Sequence, residues 1–172
     1  MTLDPRYPIG PFTFEGAVTA GRRTAWIDEI AGTPAALRTA LAGLDEATLE
    51  TPYRPGGWTV RQVAHHLPDS HLNAVGRFRL ALTEDRPTIK PYDEAAWAEL
   101  ADARTAPVEL SVQLLAALHE RWVRLLRSLS AADFAREYVH PEGGPVSLDR
   151  VLALYAWHGR HHVAQIRGVA RP

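Results

Sequence analysis

Four long stretches of the chain repeat apolar residues at intervals of three and four, and this pattern limits the possible folds more than any other feature. The stretches begin near Trp26, Thr59, Pro107 and Ser147. This spacing places apolar side chains on one face of a helix, and that face must be buried against another element. No segment is a convincing strand. The sequence therefore predicts an all-α fold, a four-helix bundle formed by one domain over residues 1–172.

The helix ends follow from local signals. In the first helix the apolar pattern keeps its phase across Pro34, which favours one bent helix, although Thr33 and Pro34 could instead cap a separate one. Thr59 and Gln62 have the spacing of a capping box at the start of the second helix, which is expected to run to about Leu82. The third helix is predicted from about Pro107 to Leu129, and Ser147 is expected to cap the last.

The segments between the predicted helices are rich in proline and glycine. We expect residues 1–13 to form an extended arm packed on the body. We expect residues 45–57 and 130–146 to be connectors, while residues 84–106 form a long connection between helices 2 and 3, with a short helical turn over 93–100. Long ordered connections are often functional.

Composition excludes several classes of function. The 172 residues include no cysteine, which rules out disulfides, thiolate nucleophiles and iron–sulfur clusters and suits a reducing cytoplasm. The net charge of −1 leaves no basic surplus for nucleic acid. No apolar stretch approaches the roughly 18 residues that a membrane span needs, and the N-terminus lacks a secretory signal. We therefore expect a cytoplasmic protein with neither a nucleic-acid nor a membrane partner.

The eight histidines are the most informative residues. In the last helix, His158 and His162 are four residues apart, and they lie about 70° and 30° from the centre of the apolar face. This spacing lets two imidazoles reach one metal ion. His161 lies about 130° away, toward solvent. In the second helix, His66 lies about 90° from the inward direction, whereas His65 lies nearly opposite, so His66 is the better third ligand.

Other interpretations of the histidines stay open at this point. A single inward histidine is usually a hydrogen-bonded core residue. We expect His119 to be structural and His140 to be exposed in a loop. His71 could support a ligand, but a structural role is favoured. No carboxylate-pair motif or di-iron repeat accompanies them, so a mononuclear site fits better than a dinuclear one.

Two segments resemble the signature motifs of the DinB/YfiT-like superfamily. They are the segment GWTVRQVAHHLPDSH, from Gly57 to His71, and the segment YAWHGRHHVAQI, from Tyr155 to Ile166. The segments at 7–10, 90–94 and 140–142 match the YfiT branch in particular. The resemblance covers nearly the whole chain in order.

The resemblance implies a four-helix bundle with one divalent ion bound by three histidines. The matching positions are His66, which directly precedes a leucine as in the family motif, His158 and His162. Family members resemble metal-dependent hydrolases, and the YfiT branch is similar to thiol S-transferases that use bacillithiol. Homodimers are usual in the family. Pro68 stands where close relatives are expected to have alanine, which puts the local helix geometry in question.

These expectations define a chemistry. Three imidazoles leave open positions on a divalent ion, most simply zinc with nickel as a substitute, which could activate either a water or a low-molecular-weight thiol toward a small-molecule substrate. Gln62 and Asp69 are candidates to orient the imidazoles. Tyr92 and Trp97 are candidates to line the substrate pocket, although simple packing explains them equally well. The competing interpretation is a non-catalytic metal-binding or purely structural bundle.

Overall fold

A computed structural model describes residues 4–170, so residues 1–3 of the expected N-terminal arm lie outside the described chain. Ten elements follow one another. They are α1 (Ala20–Leu41), α2 (Glu46–Leu49), α3 (Val60–Thr83), α4 (Glu94–Ala98), α5 (Ala101–Thr105), α6 (Val108–Ser128), α7 (Ala131–Phe134), β1 (Glu137–His140), β2 (Gly144–Ser147) and α8 (Leu148–Ala170).

The four long helices form the predicted four-helix bundle. Helix α1 packs on α6 and α8, and α3 packs on the same two helices, so α1 and α3 occupy opposite corners. Across residues 4–170, no helix combines the length and the apolar character that crossing a bilayer requires.

The helix ends follow the local signals. Thr59 and Gln62 form the predicted capping box, and the Ser147 hydroxyl accepts a hydrogen bond from the first turn of α8. Helix α1 continues through Pro34, as the unbroken apolar phase indicated. It begins earlier than the apolar pattern does, because the Thr19 side chain caps it. Helix α3 likewise runs without a break through Pro68.

The expectation that the chain contains no strand was wrong. Strands β1 and β2 form an antiparallel hairpin in which His140 pairs with Gly144 across the turn, where Gly144 has a positive φ of 72°. Each strand has only four residues, which is too short for an alternating pattern to be recognised. A tertiary contact holds the hairpin, because the Ile89 amide in the long connection donates to the Val139 carbonyl.

The long connection between α3 and α6 contains two short helices, α4 and α5, rather than the single turn predicted. Two buried side chains of α3 fasten it to the bundle. The Gln62 amide donates to the Ala98 carbonyl, and the Arg61 guanidinium donates to the Ala106 carbonyl and pairs with Glu46 and Glu50 of the first connector. The connection is therefore held against one end of α3.

Two apolar clusters make up the core, one toward each end of the bundle. One includes Ile30, Phe78, Trp122, Leu148 and Tyr155, and the other includes Leu37, Leu67, Leu115, Val163 and Ile166. Each of the four long helices contributes at least one polar residue between these two clusters. We call this set the histidine layer: Thr33, His66, His71, His119 and His162, which are buried, and His158, which is half-buried.

Gly159 lets α8 approach α1 closely at the level of the histidine layer. A Cβ atom on Gly159 would lie 2.6 Å from Oγ1 and 2.7 Å from Cγ2 of Thr33, far inside contact distance. Thr33 is buried, and its hydroxyl donates to the Glu29 carbonyl within α1. The side chain therefore has little room to move away.

We expect Gly159→Ala to lower the free energy of unfolding by about 1–3 kcal/mol, because overpacking outweighs the gain in helix propensity. Urea denaturation would measure the change. Gly76→Ala is the matched control, since open space surrounds Gly76, and it should be neutral or stabilising by about 0.4–1 kcal/mol. Thr33→Ala should restore much of the loss in the Gly159→Ala background. Equal tolerance of the two alanines would contradict the close approach.

Candidate metal centre

Three imidazoles from two helices converge on one point. The Nε2 atom of His158 lies 3.3 Å from Nε2 of His66 and 3.1 Å from Nε2 of His162. One nitrogen from each ring falls within 4.8 Å of the other two. Helix α8 contributes two of the rings because residues four apart share one helix face. The structure thus brings together the three histidines that the sequence singled out.

The protonation of the three rings suits a metal ion. Burial lowers the pKa of His66 to about 4, and it holds the pKa values of His158 and His162 well below their ordinary range. All three rings are therefore neutral at neutral pH, and each keeps one nitrogen lone pair. Neutral imidazole is a good ligand for zinc and the neighbouring divalent ions.

The amide of Gln165 determines which nitrogen of His162 is free. The Nδ1–H of His162 donates to Oε1 of Gln165 over 2.7 Å, and this leaves the lone pair on Nε2, toward His158. The amide nitrogen of Gln165 donates to Nε2 of His161 over 3.1 Å. Trp58 packs beside His66, with ring centroids 4.7 Å apart. The three imidazole nitrogens, and the side chains that hold the rings in place, therefore fit a divalent cation.

The two residues expected to orient the imidazoles lie elsewhere. Gln62 makes its hydrogen bonds with Thr59, Ala98 and Glu99, and these bonds stabilise the start of α3 rather than a histidine. The Asp69 carboxyl is half-buried, and burial, with a smaller effect of Asp102, raises its pKa to about 6. Both residues share a helix face with His66, at spacings of four and three. Within residues 4–170, however, neither side chain makes a hydrogen bond to a histidine.

His65 and His161 are both buried, which corrects the expectation that His161 faces solvent. His65 does point away from the three-histidine cluster, because its ring bonds to the Ser111 hydroxyl and the Ala106 carbonyl. His161 stacks on Trp157 with ring centroids 4.4 Å apart. The N-terminal arm covers this face of α8, and the Trp157 indole donates to the Gly10 carbonyl.

A cavity of about 490 Å³ opens beside the three histidines. Four aromatic side chains line it: Tyr7, Tyr53, Trp58 and Trp157. Its charged lining residues are Arg6, Arg54 and Glu94. Of the long connection, Glu94 is the residue that lines this cavity, whereas Tyr92 and Trp97 pack on each other with ring centroids 4.4 Å apart.

The remaining histidines and tryptophans also have definite positions. His71 is fully buried and bonds to His158 and His119, so it contacts a candidate ligand although a purely structural role was favoured. His140 is half-buried at the end of β1 rather than exposed in a loop. Trp122 belongs to the core, and Trp26 packs against its edge.

Sequence reasoning missed Gln165 and underestimated His71, although both left signals. Gln165 follows His162 by three residues, which is the spacing of neighbours on one helix face. His119 falls between Leu115 and Trp122 in the apolar stripe of α6, so an inward imidazole was visible there. No local pattern shows that His71 and His119 meet, because they lie on different helices.

The fold and the site together define a class: four-helix-bundle proteins with a cluster of three histidines suited to a divalent metal ion. Residues 29–166 match the model of the DinB superfamily, and the chain belongs to this superfamily.

Close relatives share nearly the full length. A protein of Bacillus mycoides named "Putative metal-dependent hydrolase" is 53% identical over 95% of this chain and 94% of its own. A protein of the same name from Oceanobacillus iheyensis is 48% identical over 98% of each chain.

Solved structures agree with the fold. YfiT from Bacillus subtilis, described as a probable metal-dependent hydrolase with an unusual four-helix bundle topology, is 45% identical. It superposes with a TM-score of 0.94 over 97% of this chain and 96% of its own. The four-helix bundle protein TT2238 is 20% identical, with a TM-score of 0.56 over 82% of this chain and 94% of its own, and it supports the fold alone.

We expect Gln165→Leu to weaken binding of Zn²⁺ by about 10- to 100-fold, because His162 loses the acceptor that fixes its tautomer. Gln165→Glu, which keeps an acceptor, should retain most of the affinity. Competition with a chromophoric chelator would measure each dissociation constant. Gln62→Leu is the matched control: it should lower stability and leave Zn²⁺ affinity unchanged. If Gln62→Leu weakened binding as much as Gln165→Leu, the assignment of these two amides would be wrong.

Asp69 should make the stability of the protein pH-dependent. Its carboxyl binds a proton more tightly when folded, with a pKa of about 6, than when unfolded, with a pKa of 3.8. Its contribution is therefore present at pH 4 and is lost as the pH rises through 6. Asp69→Asn should stabilise the protein at pH 7.5 by about 1 kcal/mol, allowing for its half-exposed position, and have little effect at pH 4.

Denaturation of wild type and Asp69→Asn at both pH values would test this. The Zn²⁺ affinity of the variant should equal that of wild type. Equal stabilisation at both pH values would contradict the raised pKa, and weaker Zn²⁺ binding would restore the expected role of Asp69 in orienting an imidazole.

Proposed function

We propose that this chain is a metal-dependent hydrolase in which His66, His158 and His162 hold one divalent cation, with zinc as the preferred ion. The convergence of their three Nε2 atoms beside an open cavity carries the proposal. Three protein nitrogens with room for a further ligand are typical of catalytic zinc sites, whereas structural sites are closed by four protein ligands. The names of the close relatives support the same reaction class.

A divalent cation bound there would supply Lewis acidity to a nucleophile and to the substrate oxygen that it attacks. The residues of the chain have separate roles around it. Gln165 holds His162 in the required tautomer, and Trp58 shields one side of His66 from water. Glu94 is the carboxylate on the cavity wall, and partial desolvation raises its pKa. We assign to Glu94 the role of accepting a proton from the nucleophile.

The lining of the cavity favours a small polar substrate with an anionic or hydrogen-bond-accepting group. Arg54 lines the cavity beside Tyr53, and within residues 4–170 it forms no ion pair with a carboxylate. Arg6 is also present there, although Asp4 partly neutralises it. Aromatic rings on the other sides would contact the apolar part of the substrate.

Metal content per chain, measured by elemental analysis, is the first test. We expect about one ion per wild-type chain, and loss of that ion in His66→Ala, His158→Ala and His162→Ala. His65→Ala is the matched control, because His65 is a buried histidine of the same helix that bonds away from the cluster. His161→Ala is unsuitable as a control, since His161 lines the cavity and bonds Gln165.

Activity then decides the chemistry. Zinc-loaded wild type should hydrolyse members of a panel of small esters and amides, and each of the three ligand variants should lose at least about 100-fold in rate. Glu94→Gln should lose rate while it keeps its metal.

A second panel, in which glutathione or bacillithiol meets an electrophile, tests thiol transfer, because the same three nitrogens would activate a thiol. Activity in that panel alone would replace hydrolysis with transfer. A fully loaded protein inactive in both panels would favour a non-catalytic metal-binding bundle. A wild type that binds no ion would contradict the site itself.

A further inference from the structure

A chain of buried hydrogen bonds crosses the bundle from the metal centre to the far helix. His158 Nδ1 lies 3.2 Å from Nε2 of His71, and Nδ1 of His71 lies 2.8 Å from Nε2 of His119. His119 Nδ1 lies 2.7 Å from the carbonyl oxygen of Ile30 in α1. His71 is fully buried and His119 is 2% exposed. All four long helices thus contribute to one continuous path.

The carbonyl at the end of this chain is free because of a proline. In an α-helix the carbonyl of Ile30 would accept the backbone N–H of residue 34, but Pro34 has no N–H. Helix α1 nevertheless continues through Pro34, so the Ile30 oxygen remains without its helical donor. Pro34 and His119 line the same groove between α1 and α6, which places the imidazole where that donor would have been.

The carbonyl gives the chain a direction. A carbonyl oxygen can only accept, so Nδ1 of His119 must carry the hydrogen. A buried imidazole without a carboxylate partner stays neutral, so Nε2 of His119 is an acceptor, and Nδ1 of His71 must donate to it. By the same reasoning Nε2 of His71 accepts from Nδ1 of His158. The lone pair of His158 is then on Nε2, which faces the other two ligands.

We propose that Pro34, His119 and His71 act as positioning residues that hold His158 in its metal-binding tautomer and orientation. Pro34 frees the Ile30 carbonyl, the carbonyl orients His119, and each imidazole orients the next. None of the three touches the metal position, so they act through His158 alone. This inference rests on the proposed metal centre, and it adds residues of α1 and α6 that contribute no ligand.

Zn²⁺ affinity of the full-length protein, measured by chelator competition, tests the chain. His119→Leu should weaken binding by about tenfold, because it removes both the donor and the acceptor while it keeps an apolar volume in the core. His119→Gln offers one donor and one acceptor and should retain most of the affinity. His65→Leu is the matched control, since His65 is a buried histidine whose two hydrogen bonds do not belong to this hydrogen-bond chain. The Zn²⁺ affinity of this variant should equal that of wild type.

These measurements separate the two proposals. A wild type that fails to bind Zn²⁺ would overturn the metal centre and the chain together. If wild type binds Zn²⁺ and His119→Leu binds it as tightly as His65→Leu does, the hydrogen-bond chain has no role in metal binding. The metal centre itself would not be contradicted.

Pro34→Ala is a second variant that keeps every imidazole in place. The new N–H competes with His119 for the Ile30 carbonyl, so Zn²⁺ affinity should fall by a few fold. The free energy of unfolding should rise, because α1 regains a hydrogen bond. Opposite changes in stability and affinity are not expected of a residue that only shapes the helix. Unchanged affinity in this variant would overturn the role of Pro34.

Nitrogen-15 NMR of the zinc-loaded wild type shows which ring nitrogen of each histidine carries the hydrogen, and so gives the donor-to-acceptor direction of the hydrogen-bond chain. Both His71 and His119 should carry their hydrogen on Nδ1, with Nε2 unprotonated. A hydrogen on Nε2 of His71 would reverse the chain and overturn the inference.

Discussion

The histidine layer is the constraint on which the rest of the structure depends. Imidazoles buried in the middle of a bundle must have hydrogen-bond partners or a metal ion, since an unpaired buried polar group costs about 1–3 kcal/mol. Each of the four long helices contributes to meeting this demand. Helices α3 and α8 supply the candidate ligands, α6 supplies His119, and α1 supplies a carbonyl that Pro34 has made available.

The apolar clusters on either side offset the free-energy cost of burying this polar layer. Phe78, Trp122 and Leu152 fill one end of the bundle and Leu37, Leu67 and Ile166 fill the other, all of them at most 1% exposed. Burial of each such side chain contributes about 1.5–3 kcal/mol. The clusters also exclude water from the imidazoles, which keeps the rings neutral and their lone pairs available. Stability and metal-binding chemistry therefore depend on the same packing.

Much of the candidate centre was predictable from helical geometry, because the three expected ligands lie within long regular helices. The rotation of about 100° per residue selects His66 over His65, and it places His158 and His162 on one face. The same reasoning failed for His161, which is buried because the N-terminal arm covers a face that an isolated helix would expose to water. Gln62 was correctly placed in the capping box, but its amide bonds the long connection rather than an imidazole.

The sequence by itself determined the four amphipathic helices, the caps of α3 and α8 and the three convergent imidazoles, because these depend on residues a few positions apart within regular helices. Only the tertiary structure decided what those imidazoles contact. The short hairpin, the covering arm and the path from Pro34 through His119 and His71 to His158 each join segments far apart in the chain. Local periodicity carries no information about such contacts, since they arise only when separate helices pack together and their buried polar atoms must find partners.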